Sequence, residues 1–265
     1  MTSLDGLSRV SLEGDVLRIA IATADNGTSL DFDGVDQGTK ALRALSAGTL
    51  AARSVLLIGE GANFCAGGNV RAFASAENRA EYVGTVAGAL HDFVRAIEAT
   101  EVPIVAAVQG WAAGAGMSLV CTADIAIGGP STKLRPAYPS IGYTPDGGMS
   151  WTLPRIVGVA RAREILLTDA VLGADEAVRL GVLSRLVGDD EVKDEALRVA
   201  RTLAAGPTSA YAGIKRLLVG SGSATLSEQL DAETASISAA ADTVAGREGV
   251  DAFVEKRRAD FATNR

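Results

Sequence analysis

Cysteine is nearly missing from this chain. Cys65 and Cys121 are the only two among 265 residues, and both sit in apolar or glycine-rich surroundings. That argues against a disulfide framework and fits a reduced, cytoplasmic setting. A basic excess is missing too: 25 Lys and Arg stand against 32 Asp and Glu, for a net charge of -7. Neither nucleic acid nor an anionic membrane surface is therefore expected as the main partner, while a small acidic substrate, which needs only a local positive patch, stays open. No apolar run reaches the roughly 18 residues of a membrane span. The opening MTSLDGLSRV has no basic stretch followed by an apolar one, so no membrane association and no targeting segment are expected. Internal repeats and long low-complexity linkers are also absent.

What is present is a chain 48% hydrophobic and long enough to bury a sizeable core. Arg9 to Thr23 alternate apolar and polar around Glu13-Gly14-Asp15, the pattern of a hairpin. A helix is expected over Phe32 to Leu45, then a buried strand in SVLLIGE. Val83, Val86, Leu90, Val94 and Ile97 keep a helical stripe through Arg79 to Ala99 that stops before Pro103. Buried strands follow in PIVAAV and DIAIGG, and this order of strand, helix and strand places the chain in the α/β class with parallel pairing. After Thr168 strand signals nearly vanish except in LSRLVG. DEVKDEALRVARTLAAG, PTSAYAGIKRLLVGSG and the run from Thr225 to Arg258 read as helices. An α/β core over residues 1–200 and a helical region over 201–265, serving as lid and oligomerisation layer, are expected.

Two segments stand out. NFCAGGNV and WAAGAGMSL each follow a buried strand, are rich in Gly and Ala, and precede a helix. Each can present free backbone N–H groups at a helix N-terminus, and two such groups aimed at one spot form an oxyanion hole. Tight strand-to-helix packing is the alternative reason for so many small residues.

FCAGGN, VQGWAAGAGMSLVCTADIAIG, IGYTPDGGMSWTLPRIVG and EGVDAFVEKRRADF, in this order and spacing, resemble the signature blocks of the crotonase superfamily, the enoyl-CoA hydratases and isomerases. The resemblance covers nearly the whole chain. It implies a crotonase (ClpP-like) fold, with a spiral core of repeated ββα units and a helical C-terminal region that builds a homotrimer or a dimer of trimers. It implies an acyl-CoA thioester as substrate, with no other cofactor and no metal. The thioester oxygen would accept hydrogen bonds from the backbone N–H groups of Gly68 and Ala115, with Ala66, Gly67 and Trp111 around the ligand. Lys256, Arg257 and Arg258 would reach the CoA phosphates, from a neighbouring subunit or from the same one; a solvated last helical turn is the other reading of those cations. Arg71 faces either ligand or water.

An oxyanion hole does not choose the reaction. The choice belongs to acids and bases around the acyl chain. In the hydratase branch two glutamates hold the attacking water; the corresponding positions here are Ser118 and Tyr138, neither of them a carboxylate, and the resemblance implies that both contact the substrate. Asp146, in TPDGG, resembles the single catalytic carboxylate of enoyl-CoA isomerases and of the phenylacetate-pathway epoxy/oxepin isomerase. One carboxylate suffices for an isomerisation, because a proton removed at one carbon can be returned at another. An N-cap of the following helix is the alternative role. Tyr143 and Trp151 would wall the pocket beside it. His91, the only histidine, lies at the edge of the helical stripe, where a structural or solvated role is expected. The 4-chlorobenzoyl-CoA dehalogenase branch, however, has a His in the corresponding helix and an Asp nucleophile where Asp146 falls, though a Trp where this chain has Tyr138. Isomerisation of an enoyl-CoA is the expected activity. A hydratase with an atypical site, dehalogenase-like hydrolysis and acyl-CoA binding without turnover are the alternatives.

Overall fold

The computed structural model describes residue 4 and residues 6–262. It opens with the expected hairpin, β1 (Val10–Glu13) and β2 (Val16–Ala22). Next come α1 (Phe32–Ser46), β3 (Ser54–Gly59), α2 (Val70–Ser75), α3 (Arg79–Glu98), β4 (Ile104–Val108), β5 (Trp111–Ala113), α4 (Ala115–Thr122), β6 (Ile125–Gly128) and β7 (Lys133–Arg135). A 3-10 turn at Pro139–Ile141 leads to α5 (Met149–Val157), α6 (Val159–Leu167), β8 (Leu172–Gly173), α7 (Ala174–Arg179) and β9 (Arg185–Leu186). The chain closes with α8 (Val192–Ala204), α9 (Thr208–Ser221), α10 (Leu226–Ala241) and α11 (Val244–Glu255).

One sheet has the order β1-β2-β3-β4-β6-β9, antiparallel only at β1/β2; β5, β7 and β8 form a second, smaller sheet. From β4 to β7 successive strands alternate between the two. β4 enters the first sheet and β5 the second, α4 follows, and then β6 and β7 repeat the step. This is the ββα unit that the resemblance implies. β5 was not expected from the sequence: Trp111–Ala113 is a short strand, parallel to β7.

All of β3 and β4 is buried, as strands covered on both faces require. Their alternation splits them between two cores. Val55, Leu57, Ile104, Ala106 and Val108 meet α1, α3 and α4, whereas Leu56, Ile58, Val105 and Ala107 meet Val192, Ala196, Val199 and Ala200 of α8. Residue 200, where the division was expected, lies inside α8, and residues 205–207 connect α8 to α9. Arg53 ties this connection down by donating to the carbonyls of Ala204, Gly206 and Phe261. The run from Thr225 onward is two helices, because Thr243 caps α11 by accepting from the Gly246 N–H at 2.9 Å. Among the described residues no helix is long and apolar enough to cross a membrane.

α1 lies directly on β2 because Gly34 has no side chain; a Cβ there would collide with the Ala20 carbonyl oxygen. Gly34→Ala is therefore expected to cost about 1–3 kcal/mol. Gly88→Ala, on an exposed stretch of α3 where a Cβ meets nothing within 4 Å, should instead gain about 0.5–1 kcal/mol. Urea denaturation of the two variants measures both.

Candidate active site

The two glycine-alanine segments meet as backbone. Cys65 and Ala112 form a parallel bridge, with Cys65 N–H donating to the Trp111 carbonyl at 3.1 Å and Ala113 N–H to the Cys65 carbonyl at 2.9 Å. Gly67 (φ 98°) and Gly114 (φ 52°) then turn the chain at positions that disfavour other residues. A Cβ at Gly114 would lie 3.7 Å from the Gly67 Cα, and one at Gly67 would lie 3.2 Å from the Ala113 carbonyl oxygen. The Gly67 carbonyl accepts from Leu30 N–H at 2.8 Å, so in the trans peptide the Gly68 N–H points the opposite way. The Gly114 carbonyl accepts from Ser118 N–H at 3.0 Å inside α4, which leaves the Ala115 N–H pointing out of the helix start. Among the described residues neither N–H has an acceptor in the chain. Gly68 and Ala115 both line one cavity of about 780 Å³.

Asp146 lines the same cavity and is its only carboxylate among the described residues. Gly147 and Gly148, with φ of 59° and 81°, carry the chain from it into α5. Gly148, not Asp146, occupies the cap position of that helix, so the capping alternative falls away. The Asp146 side chain is held from the other side: the Tyr138 hydroxyl donates to Oδ1 at 2.7 Å. Ser118 Oγ lies 3.1 Å from the Tyr138 hydroxyl and 3.0 Å from the Asp146 backbone carbonyl, with one proton to share between them. Burial, reinforced by the neighbouring Asp146 carboxylate, raises the Tyr138 phenol well above its ordinary pKa, so it stays neutral and able to donate. Gly147 N–H donates to His91 Nε2 at 3.2 Å, which gives the lone histidine a place in the wall and a grip on the acid-bearing loop.

Tyr138 rests on a strained neighbour. Ala137 has φ of 62°, and its N–H donates to Asp169 Oδ1 at 2.7 Å; Asp169 Oδ2 takes two further hydrogen bonds from Arg135, at 2.6 and 3.1 Å. Burial works to raise the Asp169 pKa, but the bonds from Arg135 and Ala137 outweigh it and hold the carboxyl below its usual range. Nothing in the sequence pointed to this latch, whose members lie 32 and 34 residues apart.

Of the expected site residues, Asp146, Gly68, Ala115, Ala66, Gly67, Tyr138, Tyr143 and His91 are brought together on the cavity wall. Seven others are not. Trp111 is outside the wall, because β5 turns it toward Lys133, whose ammonium sits 5.5 Å from the ring centre. Ser118 is fully buried behind Tyr138. Lys256 ends α11 with φ of 56°, away from this cavity. Arg257 is bound to Glu248 and Glu255, Arg258 lines a separate surface groove beside α8, and Arg71 is exposed outside the wall. Trp151 is half exposed under Arg155 rather than beside Asp146. Cys65 and Cys121 are buried, which pushes both thiols up to about 12. Both are therefore neutral at ordinary pH.

The wall also contains residues that the helical stripe concealed. Val83 and Val86 face the cavity together with Ala80 and Ala87, and only the later part of α3, with Leu90, Phe93, Ala96 and Ile97, is buried in the core. Phe73 packs over Gly68, where a Cβ would lie 2.7 Å from its ring, and stacks on Tyr143 with centroids 6.3 Å apart. Arg79 is the wall's arginine and donates to the Phe73 carbonyl at 3.2 Å. Among the described residues no cluster of three His, Cys, Asp or Glu side chains could hold a metal ion.

Known proteins share much of this sequence and fold. The profile of the enoyl-CoA hydratase/isomerase family matches residues 15–264. A "probable enoyl-CoA hydratase" of Rhodobacter capsulatus is 36% identical over 210 residues, 79% of this chain and 81% of that one. The 1,2-epoxyphenylacetyl-CoA isomerase of Escherichia coli K12 is 36% identical over 216 residues, 79% of this chain and 80% of that one. The crystal structure of an enoyl-CoA hydratase from Polaromonas sp. JS666 superposes with a TM-score of 0.88 at 32% identity, covering 95% of this chain and 98% of its own. A family profile that spans most of the chain and relatives of both names at 36% identity place the chain in the enoyl-CoA hydratase/isomerase family within the crotonase superfamily.

Proposed function

We propose that this chain moves the double bond of an unsaturated acyl-CoA, with Asp146 as the single acid and base. One observation carries the reading: among the described residues the cavity wall holds one carboxylate, Asp146, and it shares that wall with the unpaired N–H groups of Gly68 and Ala115. The thioester oxygen of a bound acyl-CoA accepts from those two N–H groups, which favours an enolate by about 3–4 kcal/mol per well-placed donor. Asp146 takes a proton from the carbon next to the thioester carbonyl. The electron pair left behind spreads through the adjacent double bond to give a dienolate, and the same carboxyl returns the proton at the γ carbon. The double bond moves one place and no atom is gained or lost.

Hydration would need acids to hold and split a water. Ser118 and Tyr138 stand at the two positions, and their hydroxyls are bonded to each other and to Asp146. Hydrolysis by Asp146 and His91 is the second reading, favoured by their common wall; against it, His91 Nε2 already accepts from the Gly147 N–H. The apolar wall, with Leu30, Phe32, Val83 and Leu90, suits an acyl chain. No cofactor beyond the CoA of the substrate is required by this chemistry.

Self-association belongs to the same reading. Leu226, Leu230, Ile237, Val250 and Phe253 of α10 and α11 are 52–85% exposed, more apolar surface than a monomer ordinarily shows. Lys256 lies outside the cavity of its own chain, so a neighbouring copy is its route to the CoA phosphates.

Asp146→Asn should lower kcat on 3-hexenoyl-CoA by about 10²–10⁴-fold while leaving the melting temperature nearly unchanged. Water addition to crotonyl-CoA that is fast and survives this substitution, followed by product mass, would return the chain to the hydratases. Ala115→Pro deletes one proposed N–H donor at the first helical position, where proline is tolerated; it should cost about 10²–10³ in kcat, measured on protein shown to be folded by circular dichroism. Light scattering at micromolar concentration should give a multiple of the chain mass, and a monomer would contradict the assembly.

A further inference from the structure

We propose that Tyr138 is a positioning residue, whose hydroxyl holds Oδ1 of Asp146 so that Oδ2 is the oxygen offered to the substrate, with Ser118 fixing Tyr138 in turn. The inference rests on Asp146 being the acid/base. A carboxylate on a turn can rotate about two side-chain bonds, and each rotamer offers a different oxygen in a different direction. Tyr138 removes that freedom with a 2.7 Å hydrogen bond to one oxygen. Among the described residues no other side chain donates to the Asp146 carboxylate, and Oδ2 has no partner. The wall therefore presents one carboxylate oxygen that is bound and one that is available.

The anchor is itself fixed. Tyr138 is only 8% exposed, and burial raises its phenol above the ordinary pKa, so the donor is protonated at neutral pH. The proton count agrees with this assignment. The Tyr138 proton goes to Asp146 Oδ1, the shortest of its contacts, and the single Ser118 proton is left for the Tyr138 oxygen, the Asp146 carbonyl at 3.0 Å or the Gly114 carbonyl at 3.3 Å. Ser118 sits on the first turn of α4, whose start supplies the Ala115 N–H. The oxyanion donor and the acid are thus referenced to one helix through two hydroxyls. The positions that would carry two acids in a hydratase carry a neutral scaffold for one acid here.

The test is a double-mutant cycle on 3-hexenoyl-CoA with Tyr138→Phe, Asp146→Asn and the pair together. Tyr138→Phe keeps the ring and removes only the hydroxyl. It should lower kcat about 10–100-fold, the scale of a misplaced reacting group, with KM within about twofold. In the Asp146→Asn background the same change should cost nothing further, because Tyr138 acts only through that carboxylate. Ser118→Ala provides a second arm if Tyr138→Phe folds poorly, and should give a smaller loss in kcat that also vanishes on Asp146→Asn. A Tyr138→Phe enzyme with wild-type kcat, or an equal loss in both backgrounds, would overturn the positioning role while leaving Asp146 in place. Wild-type turnover by Asp146→Asn would instead sink the acid/base assignment on which it rests.

Discussion

The site depends on a few backbone hydrogen bonds between two stretches of chain that carry almost no side chains. The bridge at Cys65 and Ala112 fixes both glycine-alanine turns at once, and whatever accepts from the Gly68 and Ala115 N–H groups meets donors that cannot rotate away. A side-chain donor would have to be ordered at the moment of binding; these are ordered when the sheet forms. The glycines are the condition for it. A Cβ at Gly116 would collide with the Cys65 carbonyl oxygen and one at Gly110 with the Ala62 carbonyl oxygen, so larger residues would push the two segments apart and tilt α4.

Much of the fold was legible because long apolar segments have a clear period. α1 ends within one residue of the expected boundary, and PIVAAV and DIAIGG contain β4 and β6. β5, β7 and β8 were not legible. They are three, three and two residues long, too short for alternation to show, and they exist because β4 and β6 deliver the chain beside them. The stripe on α3 was read correctly as apolar, but apolarity does not say whether a face meets the core or an empty cavity. That is why Val83 and Val86 were missed as wall residues.

At the site, residues defined by backbone were found from their glycine context, whereas residues defined by a partner were not. Tyr138 and Ser118 were placed around the ligand as separate contacts, and the structure makes them a hydrogen-bonded pair behind Asp146. Trp111 was expected beside the ligand for its neighbours in the chain; its strand turns it to Lys133. The Arg135–Asp169 pair beneath Ala137 is the clearest case. Its job is to hold a residue at positive φ, and neither end carries a local pattern that announces a distant carboxylate.

The cavity face of α3 has one more consequence. Ala80, Val83 and Ala87 stand on it in successive turns, with His91 one turn further along, beneath the loop that bears Asp146. Enlarging or trimming any of the first three changes the room in the cavity, and none of them is part of the two glycine-alanine turns or bonded to Asp146. The room beside Asp146 can therefore be reshaped one residue at a time on a single helix, apart from the Cys65–Ala112 bridge and the Tyr138–Asp146 bond.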